Sequence, residues 1–162
     1  MAAKRSSAGT PATVALTAAG VPFTSHAYEH DPSAPSFGLE AAEALAVEPQ
    51  RVFKTLVADT DVGLVVGVVP VTGTLDLKAL AQAVGAKRAV MAQPSVAERR
   101  TGYVLGGISP IGQKTRHVTV VDETAQLFDT VYVSGGRRGF DVELSPADLL
   151  AVTDGRFAAI AR

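Results

Sequence analysis

The stretch VGLVVGVVP, residues 62–70, is apolar nearly throughout. A strand with one wet face alternates apolar and polar residues. A short unbroken apolar run therefore belongs to a strand covered on both faces, near the centre of its sheet. RVFKTLVAD, residues 51–59, precedes it across a tight turn at Asp59–Asp61. Such a turn can join only antiparallel neighbours. Further strands are expected in KRAVMA, in HVTVV (117–121), in DTVYVS (129–134) and in FDVEL (140–144), with SGGRRG as a hairpin turn before the last. PFTSHAYEHD alternates, with His26, Tyr28 and His30 on one face.

Helices lie between these strands. Thr10-Pro11 supplies an N-cap and a first helical position, and Gly20 a stop. Ser36 caps a helix running to Ala46, with Glu40 and Glu43 on its exposed side. TLDLKALAQAVG starts at Thr74 or Asp76, carries the stripe Leu77, Leu80, Ala81 and Val84, and stops at Gly85. Pro94 opens another helix, and Ser145-Pro146 with Asp148 caps a last one, PADLLAVTDG. Helices interleaved with tightly connected strands specify an α/β fold on a mixed sheet rather than a doubly wound parallel one. The chain's 162 residues suit a single domain over 10–162, behind a small polar tail at 1–9.

The composition excludes several chemistries. Without cysteine there is no disulfide, no thiol nucleophile and no Cys-ligated zinc, which fits a reducing cytoplasm. No apolar stretch follows the basic pair of MAAKRSSAGTP, so a secretory signal is not expected. The apolar run at 64–71 is too short to span a bilayer. The formal net charge is −1, yet Lys78 to Arg116 holds seven Lys/Arg against the single acid Glu98. One basic region on a neutral protein can meet a polyanion locally, or it can be a solvated surface.

YVLGGISPIGQKTR, residues 103–116, holds three glycines and no acid. It is not a Walker A loop, because Gln113 stands where the lysine should be and Lys114 comes one residue late. The G-x-G-x-x-G spacing is absent as well. Gly106-Gly107, followed by a turn fixed at Pro110, can present successive amides to an anion or to a carbonyl oxygen that becomes anionic. It can equally be a plain turn. His26 and His30 have the spacing of a helical zinc pair but sit in a strand pattern, so no metal site is expected. Ser109 and Ser134 lie in glycine-rich turns without a recognisable base and orienting acid. Lys54 interrupts an apolar strand, which suits either an exposed strand face or a cleft that holds an anion.

Five segments together are more specific than any of these. YEHD (28–31), VFKTL (52–56), DLKALAQAVGAK (76–87), TGYVLGGISPIGQK (101–114) and YVSGGRRGFDVEL (132–144) resemble the bacterial Cys-tRNA(Pro) deacylases of the YbaK type. These are free-standing relatives of the editing domain inserted in many prolyl-tRNA synthetases. The resemblance covers essentially residues 10–162. It implies a curved, barrel-like mixed sheet surrounded by helices. It also implies hydrolysis of the ester that joins a wrong amino acid to the 3′ end of tRNA(Pro), with no cofactor and with prolyl-tRNA synthetase as a second partner. Lys54 matches the family's functional lysine and would hold the terminal adenosine or its phosphate, with Thr55 beside it. Gly106, Gly107 and Ile108 match the loop whose amides would polarise the ester carbonyl or hold the ribose, and Ser109 follows. Tyr28, Ser134 and Asp141 match positions lining the same pocket. Lys54, Gly106, Gly107 and Ile108 are thus the expected catalytic set, and Tyr28, Thr55, Ser109, Ser134 and Asp141 the expected substrate-binding set. The absence of a catalytic dyad agrees with the family's substrate-assisted reading, in which the cysteinyl thiol attacks its own ester. A non-catalytic tRNA- or synthetase-binding module, or a small-nucleotide binder, is the alternative on the same fold.

Overall fold

The computed structural model describes residues 9–162. The tail expected at 1–9 lies outside them, Gly9 excepted. The described residues form five α-helices and eight strands in one mixed α/β domain. In chain order these are α1 (Pro11–Ala18), β1 (Thr24–Ala27), α2 (Phe37–Leu45), β2 (Phe53–Thr60), β3 (Gly63–Pro70), α3 (Leu77–Val84), β4 (Ala89–Met91), α4 (Pro94–Thr101), β5 (Val118–Asp122), β6 (Val131–Arg137), β7 (Phe140–Leu144), α5 (Pro146–Thr153) and β8 (Arg156–Ala158). None of the helices is long and apolar enough to cross a membrane.

The strands form two sheets, ordered β4-β2-β3-β5-β8 and β1-β7-β6. The β2–β3 and β2–β4 pairs are antiparallel, whereas β3–β5 and β5–β8 are parallel, so the larger sheet is mixed. A single parallel bridge, Val52 to Tyr132, joins the two sheets. The barrel-like sheet expected from the resemblance is two sheets, and the described strands form no closed barrel.

The apolar run at 62–70 is β3, the middle strand of the larger sheet. Val66 and Val68 enter one core cluster with Phe140, Leu144, Leu149 and Ile111, beneath α1 and α5. Val65 and Val69 enter a second, with Leu80 of α3 and Ile160. Burial on both faces is why the run needs no polar alternation. A third, smaller cluster packs Ala41 and Ala42 of α2 on Val52, Val71 and Tyr132, at the junction of the sheets.

The helices start where the capping residues stand. The hydroxyls of Thr10, Ser36 and Ser145 and the carboxylate of Asp76 each accept an amide of the first turn. Gly85 and Gly102 end α3 and α4 in left-handed conformations.

Two local expectations are corrected. SGGRRG is not all turn. β6 runs on through both glycines as an irregularity between Ser134 and Arg137, leaving only Arg138-Gly139 to reverse the chain. Gly136 has φ 111°, a conformation open to glycine, which lets the strand bulge rather than end. Glu40 is not on the exposed side of α2. Its two oxygens take the His30 Nδ1 contact at 2.8 Å and the Asp31 amide at 2.6 Å, tying the preceding loop to the helix. No strand was expected at β8, whose three residues are too few for a period-2 signal in the sequence.

Candidate active site

A cavity of about 360 Å³ opens where α2, the start of β2, the glycine loop and the smaller sheet converge. Its volume lies within the range of small-molecule sites. Tyr28 comes from the segment after β1, Lys54 and Thr55 from β2, Gly106 and Ile108 from the loop, Ser134 from β6 and Asp141 from β7. Seven of the nine residues expected at the site therefore share one cavity. Gly107 and Ser109 are not on its wall.

Both exceptions have a physical cause. A Cβ on Gly107 would come within 2.7 Å of Arg137 Cα and 2.9 Å of the Arg138 amide nitrogen. Gly107 is thus glycine because two backbones touch there, loop against hairpin. Its amide already donates to the Val104 carbonyl at 2.9 Å. It cannot also serve an oxyanion while that bond stands. Ser109 is fully buried and turned inward. Its hydroxyl accepts the Ile111 amide, and its carbonyl accepts Gln113 Nε2 at 2.9 Å. Gln113 Oε1 in turn receives the ring Nδ1–H of buried His117 at 2.8 Å, a chain that fixes the loop from beneath.

Of the two adjacent loop glycines, Gly106 is the one that meets the cavity. Its φ is 84°, and an ideal Cβ would lie 2.8 Å from the Phe37 ring. Conformation and space both demand glycine. Neither Gly106 nor Ile108 donates its amide to another described residue, so these two, rather than Gly107, remain for a ligand.

Asp141 is the buried carboxyl of the wall, 6% exposed. It stands opposite Ser134 in one strand pair and His26 in the other. Burial pushes its carboxyl up to about 7. Tyr28, beside it, is raised well above the usual phenol range by burial first and then by the charges of Asp141 and Glu40. Tyr28 is therefore a neutral hydroxyl at working pH. His26 contacts Glu143 at 2.9 Å and His30 contacts Glu40 at 2.8 Å, so each ring is engaged by one carboxylate.

Phe37 was not expected at the site, yet it forms part of the wall while 41% exposed. The signal was present as an aromatic directly after an N-cap serine, where a surface helix needs none. Leu105 also lines the cavity, and Arg138 borders it, donating Nε to the Leu105 carbonyl at 2.8 Å with its guanidinium 5.2 Å from the Phe37 ring. The basic stretch gathers in two groups. Lys78, Lys87 and Arg88 share a cleft by α3, and backbone bonds from Lys114 to Thr101 and from Thr115 to Arg100 bring the end of the loop to α4.

A lysine, a buried carboxyl and two amides without a partner among the described residues, set around a partly apolar cavity, make a site for a small molecule or a nucleotide end. Comparison with known proteins narrows it. Residues 31–152 match the model of the aminoacyl-tRNA editing domain, and the chain belongs to that family. A candidate Cys-tRNA(Pro)/Cys-tRNA(Cys) deacylase, EbsC of Enterococcus faecalis, is 45% identical over 120 residues, 74% of this chain and 73% of that protein. A solved structure of a candidate trans-editing enzyme for prolyl-tRNA synthetase superposes with TM-score 0.81 at 26% identity, covering 94% of this chain and 95% of that one. The solved hypothetical protein APE2540 gives TM-score 0.80 at 26% identity, over 91% and 96% of the two chains. Family membership carries the expected enzymatic class, hydrolysis of an aminoacyl-tRNA ester.

Proposed function

We propose that this chain is a trans-editing deacylase whose preferred substrate is Cys-tRNA(Pro). The observation that carries the reading is convergence. Tyr28, Lys54, Gly106, Ser134 and Asp141 come from five separate segments to one cavity, and a relative 45% identical over 120 residues is named for that ester. A synthetase pocket distinguishes amino acids of similar size by only ~1–3 kcal/mol, so a second hydrolytic site has work to do.

The terminal aminoacyl-adenosine enters past Phe37. Lys54 binds the terminal nucleotide, and the amides of Gly106 and Ile108 face the ester carbonyl. Asp141 is a buried carboxyl with no ion pair among the described residues, and the α-ammonium of the aminoacyl group is its natural counter-charge. The substrate's thiol attacks its own carbonyl. A C–S bond forms, the ester C–O bond breaks, and the thiol proton passes to the departing ribose oxygen, leaving a cysteine thiolactone and free tRNA. The chain then supplies position and oxyanion stabilisation, and needs no nucleophile of its own. Prolyl-tRNA synthetase, as the source of the error, is the expected second partner.

Single-turnover deacylation of Cys-, Ala- and Pro-tRNA(Pro) and of Cys-tRNA(Cys) tests this. Cys-tRNA(Pro) should be cleared fastest, and replacing the esterified cysteine by serine should slow the reaction strongly, since a hydroxyl is the poorer nucleophile near neutral pH. Ser134→Ala should remain active. An acyl-enzyme trapped by mass spectrometry would replace the thiol mechanism with a serine nucleophile. No turnover of any misacylated tRNA would leave only a binding module.

A further inference from the structure

Arg138 sits in the two-residue turn between β6 and β7 and is exposed. A surface arginine normally keeps its rotamer freedom, which a ligand contact must then remove. Arg138 has already lost it. Its Nε donates to the Leu105 carbonyl at 2.8 Å, and its Cζ lies 5.2 Å from the centroid of Phe37. Leu105 and Phe37 both line the cavity, on the glycine loop and on α2. The guanidinium is therefore strapped across the rim between those two walls. No carboxylate comes within ion-pair distance of it among the described residues. Its terminal N–H donors make no hydrogen bond to the described residues.

An oriented, uncompensated guanidinium at the mouth of a site calls for an anion that arrives with the ligand. On the editing reading above, on which this inference rests, the ligand is the acylated end of an RNA strand. Its ester goes into the cavity. Its nearest negative charge is the phosphodiester that joins the terminal nucleotide to the one before it, and this stays outside. Lys54 and Arg138 are thus cations at two depths, one on the wall and one at the rim. We propose that Arg138 binds this last internucleotide phosphate, leaving Lys54 for the ribose and ester. A planar fork suits a phosphate's paired oxygens better than a point charge does. The phosphate contact fixes how far the strand enters, and so sets the position of the ester without touching it.

The test separates a phosphate contact from a mere strap. An unacylated acceptor-stem minihelix is made with its last internucleotide linkage either native or as the neutral methylphosphonate. Its affinity is measured for the wild-type chain and for Arg138→Gln and Arg138→Lys. The methylphosphonate should weaken wild-type binding roughly tenfold or more. It should leave Arg138→Gln nearly unaffected, because that contact is already gone. Arg138→Lys should recover part of the affinity. In single-turnover deacylation, Arg138→Gln should raise the half-saturating concentration and keep the saturating rate. An equal methylphosphonate penalty in wild type and Arg138→Gln would overturn the assignment. So would loss of the saturating rate with unchanged affinity, which would mark Arg138 as a strap holding the loop. The binding arms use no ester, so they judge Arg138 even if no misacylated tRNA is hydrolysed and the editing reading itself falls.

Discussion

Lys54 is the residue where sequence and structure make the sharpest joint statement. A charge inside an apolar strand is costly unless it leads somewhere, and here it leads into the cavity wall. It belongs to none of the three buried apolar clusters. Lys54→Ala is therefore expected to keep its melting temperature within a few degrees while losing most single-turnover deacylation. Thermal unfolding and kinetics on the same preparation check this, and wild-type rates would remove Lys54 from the mechanism. Ser109 and Ser134 divide in a related way. Each hydroxyl accepts a nearby backbone amide, but Ser134 is on the wall, whereas Ser109 is fully buried and off it. A change at Ser109 is thus a change in loop structure.

Among the elements, the glycine loop and the β6–β7 hairpin behave as one unit because their backbones touch at Gly107. Gly107→Ala would force a methyl against Arg137 Cα, which has no side-chain freedom to retreat. Overpacking of this kind costs about 1–3 kcal/mol. Denaturant unfolding should show that loss, and activity should fall because Gly106 and Ile108 move with the loop. A normal midpoint with a large rate defect would instead restore the Gly107 amide as an oxyanion donor. Elements with chemical punctuation were legible in the sequence. Thr10-Pro11, Ser36, Asp76 and Ser145-Pro146 each bond a first-turn amide where the caps predicted. The apolar β3 was legible because both its faces are covered. What stayed hidden depends on tertiary partners. Glu40 looks exposed by helical spacing until His30 and Asp31 fold back onto it. Gly106 and Gly107 look equivalent as letters, but one faces an aromatic ring and the other a foreign backbone. The pocket residues could be collected beforehand only through the family resemblance, since no local pattern links Tyr28 to Asp141.

At the scale of the whole molecule, the middle strand of the smaller sheet holds a charge problem. Asp141 is buried and its carboxyl is raised from 3.8 to about 7. Between those values the folded chain keeps a proton that the unfolded chain releases. Stability from this group is therefore full below about pH 4 and is lost as pH rises through about 7. Asp141→Asn removes the penalty. It should be nearly neutral at pH 4 and stabilising above pH 7, by at most on the order of 4 kcal/mol at ~1.4 kcal/mol per pH unit. Denaturant midpoints at pH 4, 6 and 8 measure it, and a gain that does not grow with pH would show that Asp141 ionises freely. Relief of the same penalty by a bound ammonium would make substrate binding tighten the fold most between the Asp141 carboxyl at about 7 and the ordinary α-amino range at ~8, where both groups carry charge.

The glycine loop is fastened at both ends. The Tyr103 hydroxyl donates to the Ile111 carbonyl at 2.6 Å, the Lys114 amide to Thr101 at 2.8 Å and the Thr115 amide to Arg100 at 3.1 Å. Together with the Gly107 amide on Val104, these bonds close the loop on itself. An amide held this way trades its hydrogen for deuterium only when the whole clasp lets go. The amides of Gly107, Ile111, Lys114 and Thr115 should then exchange with one shared opening constant, as a single clock, and should slow together when an RNA end is bound. Lys114 exchanging orders of magnitude ahead of Gly107 would mean that the wall of the cavity loosens piece by piece.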